Sequence, residues 1–551
     1  MLGVFFFVLS AFAVQANAAT TLEIGTKEAL IKFQKDMQNQ VIPADTNVNL
    51  TADIDLGGTE WTPIHVSSDD IVLFYKGVFD GRGHTISGLK ITKAAIGSDN
   101  SFAYSGFIAG LSSYASVMNL TLDGSVDVTL DGQFSGVCTG AICAFNLGNI
   151  TNCTNLCDVK MTFKGTLTQT YSNVTTGGVA GENGPGIIAG CVNKGTVSST
   201  STLETEFLFT GGILGKTNNS YGKIFGCSNS GSVTAFGYAG GIAGMSVCSL
   251  SHCANSGDIE STPGASFDFA AGGICGYASS PSGSFATGCL NEGNIKSKIA
   301  GGIVGEAAGI VANCTNRGEI SGHWTGGIVG RINKYDKANS VTNSMNTATV
   351  SCDAGGNAGG IAGRVESGDN TISNCGYGVD LVSGDIACGF VYSGSSVKTD
   401  VKSFDNTLLK ENAVSTVLLT FTPQIMRLTP GAKGKFELMV NGTPATNETM
   451  TKYGIKVTEK VPRGGAFASI DNFINGSVGV IAIAEGDAEK VIELTSKYTD
   501  FATFGSSGAA TKDTDPMAST LQVEVREKSK PVTPSGSGSS GGGCSAGFAA
   551  L

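Results

Sequence analysis

An all-β chain is predicted, a right-handed parallel β-helix (solenoid) followed by an Ig-like β-sandwich, and three observations predict it. A glycine-rich motif recurs through the middle of the chain at uneven intervals. Inside each copy the distinctive residues alternate in steps of two. Beyond about residue 404 the repeat stops and short strand-like runs separated by turns take over. Composition agrees: 79 of 551 residues are Gly, only 15% are charged against roughly 25% in an average soluble domain, and hydrophobic residues reach 41%. Disordered chains are charge-rich and apolar-poor, so disorder is excluded. The glycines do not recur every third residue, which excludes collagen. The net charge of −11, with no basic patch to offset it, excludes nucleic acid as a partner.

The element order begins at residues 1–18, MLGVFFFVLSAFAVQANA, which read as a signal peptide. Val4 to Val14 are apolar and Ala16-Asn17-Ala18 fits the small-x-small cleavage rule, placing the cut before Ala19. There is no Lys or Arg before Lys27, so the basic start of such a signal is missing. Residues 19–104 form an N-terminal cap helix and the first coils. Thr26 can cap a helix over 27–39, with Leu30, Phe33 and Met37 on one face. Strand signals follow at Val48-Asn49-Leu50, Ile54-Asp55-Leu56 and Val78-Phe79. A turn at Asp80-Gly81-Arg82-Gly83 leads into alternation through Ile86, Leu89 and Ile91.

Residues 105–403 carry the repeat. A Gly-Gly-apolar-x-Gly block begins at Gly177, Gly211, Gly240, Gly272, Gly301, Gly326 and Gly359. After each block comes Cys-x-Asn-x-Gly-x-Val/Ile: Cys191/Asn193/Gly195/Val197, Cys227/Asn229/Gly231/Val233, Cys253/Asn255/Gly257/Ile259, Cys289/Asn291/Gly293/Ile295 and Cys314/Asn316/Gly318/Ile320. The flanking copies decay: Cys153/Asn155/Val159 has Cys157 in the Gly place, Ser344/Asn346 has lost its Cys, and Cys375/Tyr377 has lost its Asn. Terminal repeats are expected to be atypical because they cap a stack. Intervals between successive Cys positions run 38, 36, 26, 36, 25, 30 and 31 residues, so a fixed strand-turn unit is joined by variable loops. Such a unit cannot bury its own apolar edge and must stack on copies of itself, at about 4.8 Å per coil.

Stacking assigns a structural ladder. Cys153, Cys191, Cys227, Cys253, Cys289 and Cys314 form an inward column of buried thiols. Adjacent in-register cysteines do not readily reach the crossed dihedral of a disulfide. Cys138 with Cys143, or Cys153 with Cys157, remain open as local bridges. Asn155, Asn193, Asn229, Asn255, Asn291 and Asn316 form a hydrogen-bonded column at a corner, satisfying backbone groups that a turn leaves unpaired. Glycines are expected where φ is positive or where backbones approach closely.

The repeat resembles the GLUG motif of bacterial surface proteins and of immunoglobulin A-specific metallopeptidases; residues 301–320, GGIVGEAAGIVANCTNRGEI, are its best copy. The stretch from Ile54 through Trp61-Thr62-Pro63-Ile64 to Gly77–Ile86 is similar to coils that open such repeats. The resemblance covers roughly residues 26–390 and implies a secreted bacterial β-solenoid.

Residues 404–528 contain strand-like runs at Val414–Phe421, Lys435–Val440, Ile455–Val461, Val478–Ala484, Val491–Leu494 and Leu521–Val525. Leu428-Thr429-Pro430-Gly431 ahead of Phe436-Glu437-Leu438 looks like the early strands of bacterial Ig-like modules. Residues 529–551 are a Gly/Ser linker and a sorting-signal remnant. There Gly541-Gly542-Gly543-Cys544-Ser545-Ala546-Gly547-Phe548 resembles the start of the Synergist-CTERM signal. That resemblance gives Gly542, Gly543 and Cys544 a sorting or anchoring role and implies a sorting protease as partner. The apolar span and basic end of that signal are absent from the sequence.

No catalytic residue, metal ligand or cofactor is assigned. His65, His84, His252 and His323 do not form His-Glu-x-x-His, so the resemblance to the peptidases reaches only their non-catalytic part. His84 is expected to hydrogen-bond a corner, and His252 and His323 to lie in solenoid loops. Asp53, Asp55, Asp69, Asp70 and Asp80 crowd the first coils and read as turn caps. Their alternative role is that of clustered carboxylates in a carbohydrate-active β-helix enzyme, a polysaccharide lyase or glycoside hydrolase. The favoured reading is a non-enzymatic protein, secreted or held at the bacterial envelope: an adhesin or structural solenoid binding a surface ligand, glycan or protein. Its contacts are expected from Phe207, Phe209, Tyr221, Phe236, Tyr238, Phe267 and Phe269 in variable loops, or else those rings pack over the coil edges.

Overall fold

The computed structural model describes residues 20–404, apart from 69–70, 97–101, 169–171, 204–207, 263, 265–266, 334–338, 367–368, 379–380, 383–386 and 392–395. Beyond them it describes chiefly the strands between 419 and 525. Asp69, Asp70, Phe207, the signal segment 1–18 and the tail with Gly542, Gly543 and Cys544 lie outside the described residues.

The chain is nearly all β, and its described part up to Phe404 is built as a solenoid of parallel coils. A complete coil contains five short strands, as in Val174–Gly177, Ala180–Asn183, Ile187–Ala189, Val192–Asn193 and Val197–Ser201. Each pairs in parallel with its counterpart one coil on: Leu208–Gly211, Leu214–Thr217, Lys223–Phe225, Ser228–Asn229 and Val233–Phe236. The uneven intervals leave this register intact because surplus residues are absorbed between the fixed strands. In the coil that begins at Ala270–Gly272, the second and third strands are fused into the long Cys275–Thr287. In the same coil the fifth strand runs straight into the next first strand as Ile295–Gly301.

Among the described residues the one α-helix, Lys27–Gln38, lies between the strands Thr21–Ile24 and Asn47–Leu50, which pair in parallel. The Thr26 hydroxyl accepts from the Ala29 amide at 3.2 Å, and Leu30, Phe33 and Met37 are buried. Phe33 meets Tyr75 edge-on and lies 6.4 Å from Phe79, so the helix closes the open end of the core with apolar contact. None of the described helices is long and apolar enough to cross a membrane.

The glycines of the repeat are mostly close-approach positions, not turns with positive φ. A Cβ on Gly177 would sit 1.9 Å from the Ala180 carbonyl oxygen. From Gly178 to Gly327 the second glycine of each block lies on the Asn amide of its own coil, a Cβ on Gly241 meeting Asn255 Cγ at 2.3 Å, whereas in the last block Gly360 lies on the Tyr377 ring. The third meets the preceding coil, as Gly276 would meet Ala239 O at 2.7 Å. Positive φ is used one residue before the Cys column. Asn152, Gly190, Gly226, His252, Gly288, Asn313, Asn343 and Asn374 all adopt the left-handed conformation there and bend the third strand into the fourth. Gly and Asn adopt this region most readily, and His252 does so at a greater cost than either. Its ring covers the place a Gly288 side chain would occupy, 3.1 Å away. His252→Asn is therefore expected to stabilise the protein by about 1 kcal/mol, read as a rise in the unfolding midpoint. An unchanged or lowered midpoint would show the ring contact to outweigh the strain.

The cysteines Cys138, Cys143, Cys153 and Cys157, whose spacing left local pairs open, are all free and buried. Cys138 donates to the Glu182 carboxylate and Cys143 to the Phe145 carbonyl instead. The column Cys153, Cys191, Cys227, Cys253, Cys289 and Cys314 is free and buried too. Each thiol donates to a backbone carbonyl two residues back, as Cys253 does to Ser251 O at 3.4 Å. Burial pushes Cys143 up to about 12, and the thiolate is the reactive form. Thiol reagents are expected to miss the described core cysteines at neutral pH and to titrate them fully after denaturation without reductant. Near-zero free thiol in the denatured protein would refute the column.

The C-terminal strands form two further sheets. One orders Leu419–Thr422, Lys433–Val440, Ser477–Ala482 and Ala468–Ile474 antiparallel, with Thr443–Pro444 at its side. The other orders Ile425–Leu428, Met517–Val525, Gly486–Thr495 and Lys456–Pro462, its first pair parallel. Ile425–Leu428 and Ala468–Ile474 are strands that the sequence reading lacks, because neither run has clean alternation flanked by turns on both sides.

Candidate binding face

The close approach at the glycine blocks brings two columns of side chains together along one side of the solenoid. The first column stands two residues before each Gly-Gly pair. It includes Tyr104, Cys138 and Thr175, then Phe209 in register with Tyr238, and Ile299 in register with Trp324. The second stands five residues after the first glycine. It runs unbroken through Phe145, Glu182, Lys216, Met245, Tyr277, Glu306, Arg331, Arg364 and Phe390. With no side chain on the intervening glycine, the columns touch. Tyr238 lies 5.3 Å from Tyr277, Lys216 Nζ is 5.5 Å from the Phe209 ring centre, and Arg364 Cζ is 4.4 Å from that of Trp324.

At the N-terminal end the stripe is aromatic. Phe74 packs against Tyr104 and Phe145, and Phe102 stacks on Tyr104 while remaining 40% exposed. Further on it is ionic, with the carboxylates deepest. Glu182 is buried and accepts from Asn218 Nδ2 at 2.7 Å and from Cys138. Burial raises its carboxyl above the usual range, while Lys216 and these donors oppose the shift. Burial likewise lowers Lys216, against the pull of Glu182. Glu306 is buried, with Arg331 Nη2 donating at 2.5 Å and Asn333 Nδ2 donating to its other oxygen. In both places the half-buried cation lies nearer the solvent than its carboxylate, and beside an aromatic ring.

Other residues weighed from the sequence fall elsewhere. Asp53 Oδ1 accepts from the Thr85 amide at 2.9 Å and from His84 Nδ1 at 3.1 Å, which together hold the Asp53 carboxyl below its usual value. Asp55 accepts from the Gly57 amide and Asp80 from the Arg82 amide and Asn119. These acids cap turns and do not converge on one point. Among the described residues, no group of three or more His, Cys, Asp or Glu is placed to hold a metal ion. His65 is buried against the Pro63 carbonyl. His323 lies in the strand Ile320–Gly326, not in a loop, with Nδ1 2.6 Å from Asp353 Oδ1.

Of the aromatic residues expected in loops, Phe209, Phe236 and Tyr238 are on strands. Phe209 and Phe269 are buried, and Tyr221 is exposed in the turn after Thr217. Phe236, Tyr238 and Phe267 pack on Phe269, so most of the set is held in cross-coil contact.

The Asn column is an internal ladder, not a surface. Asn155, Asn193, Asn229, Asn255 and Asn291 each donate from Nδ2 to Oδ1 of the next Asn at 2.7–2.8 Å, and Asn316 does the same to Asn346. Each also donates to the carbonyl two residues on, as Asn193 does to Gly195 O at 2.9 Å. The sequence reading missed Trp324, Arg331, Arg364, Glu306, Glu182 and Lys216. Their constant offsets from the glycine blocks are the signal that would have found them.

No family model and no curated protein matches the sequence. Among solved structures the chain is similar to one described as "a putative immunoglobulin A1 protease" from Bacteroides ovatus. The identity is 18% and the TM-score 0.32, over 60% of this chain and 77% of the other.

Proposed function

We propose that the protein is a secreted or envelope-anchored bacterial surface protein that binds and does not catalyse: a GLUG-type, right-handed solenoid carrying an Ig-like sandwich as a stalk or second module. The observation that carries the reading is the stripe of paired columns, in which rings and ions are fixed at every coil on a stiff parallel sheet. Rigid placement lowers the entropy cost of binding an extended ligand. Aromatic faces with adjacent polar groups are the usual furniture of glycan and protein recognition. A signal peptide at 1–18 and sorting at Cys544 would place that stripe outside the cell.

A glycan array, read together with a reducing-sugar assay on every binder, tests this. Binding without turnover is expected, and Tyr238→Ala should weaken it at least tenfold in protein that is still folded at the assay temperature, although loss of its packing on Phe209, Phe269 and Tyr277 lowers the unfolding midpoint. Sustained turnover abolished by changing Asp53, Asp55 or Asp80 would replace this reading with the carbohydrate-active enzyme.

A further inference from the structure

Resting on that reading, we infer that the stripe is built for an acidic polysaccharide, a polyuronate, with its principal subsite at Trp324, Arg331 and Arg364. Arg331 and Arg364 are in register on adjacent coils, where two like charges ordinarily repel, and each is relieved by a carboxylate, Arg364 by Glu366 at 2.7 Å. Both guanidiniums face the Trp324 ring, at 5.9 and 4.4 Å from its centre. Glu306 neutralises Arg331 from below and is itself only 5% exposed, while the Arg331 side chain is 22% exposed. Arg331 Nε is buried, so the 22% of the side chain that stays exposed must make any outward contact. Guanidinium forks match carboxylates bidentately. A half-buried indole offers an apolar platform to the face of a pyranose ring.

The arrangement recurs. Lys216 lies over Phe209 and is in register with the buried Glu182 of the preceding coil. Lys216 and Arg331 belong to one column and are separated by four coil steps, roughly 19 Å at about 4.8 Å per coil. Tyr238 and Tyr277 stand between them. Cation, ring and cation in line suit a polymer whose carboxylates and apolar sugar faces also repeat along a line. The overall charge of −11 gives a polyanion no long-range attraction. Recognition therefore depends on these local contacts, and a uronate with both a carboxylate and an apolar face engages the two together.

The test is retention of the full chain in native gels containing polygalacturonate or its fully methyl-esterified form, which keeps the sugar backbone and removes the charge. The expected result is retention by the acid at least tenfold stronger than by the ester. It should weaken at least tenfold in Trp324→Ala and Arg364→Gln, partly return in Arg364→Lys, and fall with salt. Unfolding midpoints are measured alongside; should Trp324→Ala fail to fold, the Arg364 pair decides. Equal retention by acid and ester, no retention by the acid, or indifference to Arg364→Gln would each overturn the inference. If the array still shows a neutral glycan or protein held through Tyr238, the binding function stands and only the acidic ligand falls. An array with no binder at all removes the function itself.

Discussion

Replacing Asn255 by Ala is expected to lower the stability of the solenoid by about 3 kcal/mol. Asn255 accepts from Asn229 Nδ2 and donates both to Gly257 O and to Asn291 Oδ1, each at 2.8 Å, and it is buried. Truncation leaves two acceptors without this donor and removes an acceptor from Asn229, at roughly 1 kcal/mol or more for each. The loss is not repaired by packing, because Gly241 rests on this amide with no side chain of its own to fill the gap. Asn255→Asp keeps the shape and goes further, by roughly 3–5 kcal/mol at neutral pH, since it buries a charge with no cation beside it. Its carboxyl is raised in the folded state, so the deficit is largest well above the unfolded carboxyl value near 4. It narrows as pH falls and the folded state takes up its proton. Urea midpoints at pH 7 and pH 5 check the pair, and amide exchange locates the loss in the coils around Asn229 and Asn291. A change below about 0.5 kcal/mol for the Ala variant would mean that the amide column contributes little.

The ladder was legible in the sequence because its period is local: Cys, Asn, Gly and Val or Ile fall in steps of two within seven residues, whatever the loops do. The corner that precedes it was equally local and was overlooked. Asn152, Gly190, Gly226 and Asn313 share one backbone conformation immediately before the Cys, and only the mixture with His252 hides the pattern. The binding face was harder to see. Phe209 and Trp324 lie 115 positions apart and come into one line only through register, which depends on which strand absorbs each surplus residue. Strand fusion at Cys275–Thr287 and Ile295–Gly301 could not be read from composition. The loop assignment of Phe209 and Tyr238 failed for the same reason: both stand two residues before a glycine block, and glycine near aromatics reads as a turn when it marks the close approach of two strands.

That close approach leaves no room for a side chain at the second glycine of a block. Gly273→Ala is expected to cost on the order of 3 kcal/mol or more, although it adds a single methyl group at a position where φ is ordinary. The methyl would lie 2.2 Å from Asn291 Cγ and 2.3 Å from the Gly302 carbonyl oxygen. Neither neighbour can give way alone. Asn291 is held by Asn255 below it and by Asn316 above. Gly302 donates its amide to Gly326 O, and a methyl on Gly302 would itself meet Asn316. Relief at one coil therefore displaces the ladder in the next, and the strain is shared instead of relaxed. Gly355→Ala is the control. Its φ of +82° disfavours any side chain, yet nothing lies within 4 Å of the new methyl, so about 1 kcal/mol is expected from backbone conformation alone. Comparing the two midpoints separates steric contact from conformational freedom. A loss at Gly273 no larger than that at Gly355 would mean that the steric contact costs little, and close packing against the Asn column would no longer explain the Gly-Gly pair.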